Sequence, residues 1–250
     1  MSRVEVVDAA AFAEAAARRA IADLEAATEA HGSATWVLTG GGTPLGAYRR
    51  LAAHDLRGGV EWERVRVAIG DERSVPADDP ECNWTQAARA LLDHVPIPDH
   101  HRLPIGCDQP PEQAAAGYEA ALRGLPAAAA GVPRLEVVWL GVGEDGHTLS
   151  LFPGHPALAV ADRLVVAVHG APKPPPDRVS LTLAALAGVE RLVVLAAGAG
   201  KAAAVADARA GVDLPVTRAV AAVEAAGGTV TWLLDRAAAG GQAARDRRPG

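Results

Sequence analysis

An acid and a histidine stand one residue apart on a glycine-hinged stretch, Gly141-Val142-Gly143-Glu144-Asp145-Gly146-His147, directly after the apolar run Leu135-Glu136-Val137-Val138-Trp139-Leu140. A neutral imidazole takes a proton from water near neutral pH, and a nearby carboxylate can hold it in one tautomer, so Asp145 and His147 are candidate catalytic groups. A second cluster, Thr39-Gly40-Gly41-Gly42-Thr43-Pro44, follows Thr35-Trp36-Val37-Leu38. Three successive glycines remove the side chains that would shield backbone N–H groups, and a helix starting there adds partial positive charge, which suits a phosphate. The loop matches neither the dinucleotide fingerprint nor the nucleoside-triphosphate loop, which argues against both ligands. A third cluster, Gly70-Asp71-Glu72-Arg73-Ser74-Val75-Pro76, follows Val65-Arg66-Val67-Ala68-Ile69 and brings two carboxylates and a guanidinium to the same kind of place.

Each cluster ends a short β-branched segment, so the segments read as strands and the clusters as loops at their carboxyl ends, where ligands sit in open α/β sheets. Near-continuous apolar runs mean strands covered on both faces. Helical patterns lie between them at residues 12–30, 45–53 (with Pro44 as the first helical residue), 83–94, 111–123 and 201–210, and a last strand falls at residues 230–234. Strands separated by helical crossovers predict a doubly wound, mainly parallel sheet with helices on both faces, Rossmann-like in outline. One catalytic domain is expected over residues 1–236. The Ala-, Gly- and Arg-rich stretch 237–250 reads as a flexible tail.

The motifs together resemble the glucosamine-6-phosphate isomerase/6-phosphogluconolactonase family. Thr-Gly-Gly-Gly-Thr-Pro, Gly-Asp-Glu-Arg-x-Val-Pro followed by Asp79-Pro80-Glu81-Cys82-Asn83, the run ending in Ser150-Leu151-Phe152-Pro153-Gly154, and Asp177-Arg178-Val179-Ser180-Leu181-Thr182 stand in that family's order. The resemblance implies hydrolysis of 6-phospho-glucono-1,5-lactone to 6-phosphogluconate in the oxidative pentose phosphate pathway, and a fold shared with glucosamine-6-phosphate deaminases. Those deaminases carry an acid five residues beyond the histidine, where this chain has Phe152. Ring opening needs that second acid/base, whereas adding water to an ester needs one base and a place for the oxyanion.

On this reading His147 is the general base, and Asp145 or Asp71 orients it. Arg73, or amides of the 141–147 turn, stabilises the oxyanion. Phosphate is shared among Thr39, Gly40, Gly41, Gly42, Thr43, Arg178 and Lys201; Arg178 opens an apolar strand and Lys201 follows another. Family members often have serine where this chain has Thr39, Gly42 and Cys82, which bears on affinity rather than on reaction type.

Other chemistries find little footing. There is no Gly-x-Ser-x-Gly elbow and no metal-ligand spacing; His100 and His101 are adjacent, so their side chains are expected to diverge. Cys82 and Cys107 read as reduced thiols. No cofactor and no metal are expected. The formal net charge of −6 argues against nonspecific nucleic-acid binding. No apolar run is long enough to span a membrane, and charges near Met1 do not suit a secretory leader, so a cytoplasmic enzyme, a monomer or small homo-oligomer, is expected. A related sugar-phosphate sensor that binds without turnover is the reading from another class, and turnover of the lactone separates the two.

Overall fold

The structure is a computed structural model that describes residues 2–106, 108–128 and 131–241. In chain order its elements are β1 (Arg3–Val7), α1 (Phe12–His31), β2 (Ala34–Leu38), α2 (Gly42–Ala52), β3 (Val65–Ile69), β4 (Asp71–Arg73), α3 (Asn83–Ala90), β5 (Arg102–Leu103), α4 (Pro111–Arg123), β6 (Leu135–Gly141), β7 (Val165–Val168), β8 (Arg178–Leu181), β9 (Val189–Ala196), α5 (Ala202–Arg209), α6 (Pro215–Ala225) and β10 (Thr229–Asp235). Seven strands form one sheet in the order β1-β10-β9-β6-β2-β3-β5, with every neighbouring pair parallel. All of β2 and all of β6 but its last residue are buried, as strands covered on both faces must be. The one charge in β6, Glu136, is satisfied there by the Thr35 N–H at 2.7 Å and Arg134 Nε at 2.9 Å.

The winding direction decides where a ligand can sit. From β2 the chain moves outward through β3 to β5; from β6 it moves the other way through β9 and β10. β2 and β6 are therefore the adjacent strands at which the order reverses, and the crevice beyond their carboxyl ends is the natural binding place. Two tyrosines hold the strand ends. Tyr48 Oη, from α2, accepts the Thr39 N–H at 3.1 Å and donates to the Thr39 carbonyl at 2.9 Å. Tyr118 Oη, from α4, treats Ile69 at the end of β3 the same way, at 2.9 and 2.6 Å. Tyr48 also stacks on Trp139, and Trp36 meets Trp139 edge-on with ring centroids 5.0 Å apart, so the loop ends stand on a packed aromatic core.

Several sequence expectations need correction. α2 starts at Gly42, so Pro44 is its third residue and not its first; the N-cap is Gly41 at φ 90°, ψ 170°, a backbone state that glycine adopts without a Cβ penalty. α3 stops at Ala90 because Leu91 leaves the helical region, and residues 92–94 form a 3₁₀ turn. His100 and His101 do not diverge: they share a 3₁₀ turn and their ring centroids lie 4.4 Å apart. A second sheet, β4-β8-β7, is antiparallel and was not expected. It arises because the chain crosses out of the large sheet at Gly70, where an added Cβ would meet Leu149 Cδ2 at 2.6 Å. Packing continues past the expected domain end at 236, since Ala238 is fully buried and its N–H bonds Asp235 Oδ1 at 2.7 Å; residues 242–250, most of the expected tail, and Cys107 lie outside the described residues. Among the described residues no helix is long and apolar enough to cross a membrane.

Candidate active site

A cleft partly open to solvent lies at the reversal point and is lined by Thr39, Gly40, Gly41, Gly42, Thr43, Asp71, Arg73, His147, Arg178 and Lys201, with Asn83 and the 141–143 backbone. Every candidate residue from the sequence is on its wall except Asp145, which reaches it through His147.

At one end the glycine loop runs into α2, whose first-turn N–H groups have no intrahelical acceptors and carry the positive end of the helix dipole. Gly40 passes so close to α3 that an added Cβ would fall 2.0 Å from Asn83 Oδ1. Thr39 is less available than the sequence suggested: it is buried, and its hydroxyl accepts the Gly141 N–H at 3.3 Å, tying β2 to β6 across the reversal. Lys201 sits on a 3₁₀ turn after Gly198, and its ammonium has no hydrogen-bond or ion-pair partner among the described residues.

At the other end the turn after β6 folds on itself, with the Gly143 N–H on the His147 carbonyl at 2.7 Å and the Gly146 N–H on the Gly143 carbonyl at 3.0 Å. His147 Nδ1 meets Asp145 Oδ1 at 2.5 Å. Asp145, not Asp71, therefore orients the imidazole; Asp71 accepts the Ser150 hydroxyl at 2.6 Å instead. With the Nδ1 proton directed to the carboxylate, Nε2 is the acceptor, and it has no partner among the described residues. Burial lowers the pKa of His147 more than Asp145 raises it, so the ring is neutral at pH 7. Burial opposes the charge on Asp145, but the His147 hydrogen bond, that ring's field and Lys173 outweigh it and hold the carboxyl at about 2. The pair fits only because residue 143 is glycine: a Cβ there would lie 1.9 Å from His147 Nδ1.

The small sheet supplies the cations between the two ends. Its register sets Arg73 directly opposite Arg178, with Glu72 on the other face. Glu72 serves structure, accepting the N–H groups of Asn83 and Trp84 at the start of α3, both at 2.7 Å. Like charges directly across a ladder are unfavourable. Burial, with Arg73 adding to it against Asp71, pushes the Arg178 pKa down, an arrangement that a bound anion would relieve. Arg178 is also committed to its own loop: Nε donates to the Pro175 carbonyl at 3.0 Å, and Nη2 to those of Lys173 and Pro174 at 2.9 and 3.2 Å.

The sequence matches the family model of glucosamine-6-phosphate isomerases/6-phosphogluconolactonase over residues 7–232. The chain belongs to that family. Within it, the chain is 44% identical to a 6-phosphogluconolactonase of Streptomyces coelicolor, over 91% of this chain and 89% of that protein. It is 43% identical to the 6-phosphogluconolactonase of Mycobacterium tuberculosis, over 90% and 92%. The solved 6-phosphogluconolactonase of Trypanosoma brucei superposes with a TM-score of 0.84 at 30% identity, covering 97% of this chain and 99% of that one.

Against the deaminase branch of the family, position 152 is informative. Phe152 is fully buried, with its ring 4.6 Å from the His147 ring and the Arg178 guanidinium carbon 5.4 Å above it. An acid there would be buried between a base and a cation; the phenyl ring gives an apolar wedge that holds both apart. Lys173 was missed from sequence because it sits in Ala171-Pro172-Lys173-Pro174-Pro175-Pro176, a proline stretch that reads as a plain loop; its Nζ lies 3.3 Å from Asp145 Oδ1. Asn83 was missed because the signal at residues 79–83 pointed only to family likeness, yet it lines the cleft and its Nδ2 clamps the Asp71 carbonyl at 2.9 Å.

Proposed function

We propose that this protein hydrolyses 6-phospho-D-glucono-1,5-lactone to 6-phospho-D-gluconate, the lactone step of the oxidative pentose phosphate pathway, with His147 as general base. The observation that carries the reading is a neutral, carboxylate-oriented imidazole facing, across one cleft, a helix N-terminus and an unpartnered lysine. Family membership and the named relatives support the substrate.

The phosphate lies on the amides of the Gly40-to-Thr43 loop, with the Thr43 hydroxyl, Lys201 and the side of Arg178 not bound to carbonyls. This places the lactone carbonyl toward His147. Nε2 takes a proton from water as its oxygen attacks the carbonyl carbon, and Arg73 or the amides of the 141–147 turn take the oxyanion. The tetrahedral intermediate then collapses, the ring C–O bond breaks, and the imidazolium returns its proton to the departing ring oxygen. One water is consumed, and no covalent enzyme intermediate forms. Asp145 stabilises the imidazolium between the two transfers. The enzyme is expected to work in the cytoplasm, as a monomer or small homo-oligomer.

Acid release from freshly prepared lactone, followed in a pH-stat against an enzyme-free blank, tests the reading. A rate well above the blank is expected. Tight binding of the phosphorylated sugar with no rate above the blank would support the non-catalytic sensor instead.

A further inference from the structure

Lys173 belongs to a tightly held loop. Its carbonyl and those of the next two residues are gathered by Arg178, and the Ala171 N–H closes the loop on the Pro176 carbonyl at 2.9 Å. Four prolines, at 172 and 174–176, restrict φ on either side of the lysine. What this frame delivers is one ammonium, 3.3 Å from Asp145 Oδ1 and 3.5 Å from His147 Nδ1.

We propose that Lys173 is a positioning residue for the catalytic pair, its ammonium seated over the edge that Asp145 Oδ1 shares with His147 Nδ1 so that the carboxylate stays in line with Nδ1 and Nε2 stays directed at the cleft. The inference rests on His147 acting as the base. A cation there does two things. It attracts the carboxylate and repels an imidazolium, so the resting ring remains unprotonated and ready to accept from water. The groups facing His147 are Asp145 on its own turn, Lys173 from the proline loop, Asp71 from β4 and the uncharged Phe152 ring; the two carboxylates favour the imidazolium, and burial and Lys173 oppose it. Lys173 is the only cation among these. The same Arg178 that faces the phosphate site fixes the loop, which links the anchoring end of the cleft to the base.

Lys173 is nearly half exposed, so its removal is tolerated sterically and its field is screened. The test follows the His147 ring resonances by NMR across pH in the wild type, Lys173→Met and Lys173→Arg, with pH profiles of kcat/KM alongside. We expect the His147 pKa to rise by about half a pH unit or more in Lys173→Met, a shift consistent with one screened charge at this distance, and to stay near wild type in Lys173→Arg. The acid limb of kcat/KM should move with it, costing up to about threefold at pH values below the His147 pKa and little at pH 8, with KM within about twofold. A His147 titration unmoved in Lys173→Met overturns the proposal, and so does a loss equal at pH 6 and pH 8 that appears in KM alone. The ring titration needs no substrate, so it decides the role of Lys173 whether or not the wild type hydrolyses the lactone.

Discussion

The phosphate end and the base end of the cleft differ in what their polar groups already hold. At the glycine loop the first-turn amides of α2 and the Lys201 ammonium are uncommitted, and one Arg178 nitrogen remains available. At the turn after β6 the imidazole and its neighbours are already tied down: Nδ1 on Asp145, Lys173 on Asp145 and the Gly143 amide on the His147 carbonyl, while Nε2 stays open. Uncommitted donors gain most when an anion arrives, so on the proposed function that end supplies affinity. Committed groups need not reorganise during the reaction, so on the same proposal the other end supplies rate.

His147→Ala is the harshest way to break this division. We expect kcat/KM to fall by about 10²–10⁴-fold with a normally folded protein and a KM close to wild type, since the cradle is untouched; pH-stat rates alongside circular dichroism check it, and activity within about threefold of wild type would remove His147 from the chemistry. Lys201→Ala should do the opposite, raising KM by roughly tenfold or more through loss of a charge-assisted contact while kcat holds. Arg178→Ala sharpens the comparison because this residue serves both ends: KM rises as for Lys201, and kcat falls as well, because the carbonyls of residues 173–175 lose their clamp. A pure KM effect would show that the loop stands without it.

The pH dependence comes next in size. Burial depresses the His147 pKa, and the base works unprotonated, so kcat/KM should be level through neutral pH and decline only below the ordinary histidine value near 6.5. A midpoint above 7 would contradict that sign. The smallest expected effect is none at all. EDTA should leave the rate unchanged, because among the described residues no group of three His, Cys, Asp or Glu side chains is arranged to hold a metal ion. Glucosamine 6-phosphate should release no ammonia, because Phe152 stands where ring opening needs an acid. A zinc- or magnesium-restorable loss, or measurable deamination, would each correct the reading of the pocket.

The glycine-ended strands β2, β3 and β6 were legible because a short apolar run stopping at glycine is a local pattern, and Pro111 and Arg123 bounded α4 as the structure has it. What escaped was nonlocal. β1 is a half-exposed edge strand with charges in it, so it carries no clear alternation, and α6, made largely of Ala and Val, has few polar residues to mark its outer face. The β4–β8 pairing joins residues more than a hundred positions apart, so nothing near Arg73 foretells Arg178 opposite it. The choice between Asp145 and Asp71 was likewise a matter of which carboxylate the turn points inward, and the Gly143 approach decided it.

Because the cleft lies where the winding reverses, no continuous part of the chain contains it. The glycine loop is made early, the base only after the sheet has been crossed, and the Lys201 turn is anchored later still: the Gly198 N–H bonds Asp235 Oδ2 at 3.0 Å, at the end of the last strand. A nascent or truncated chain lacking β10 would hold every residue proposed for the site and still lack the anchor for its proposed phosphate-binding cation. Ligand binding is thereby coupled to completion of the whole sheet, so a phosphorylated sugar acid should protect every strand from hydrogen exchange rather than only those that touch it.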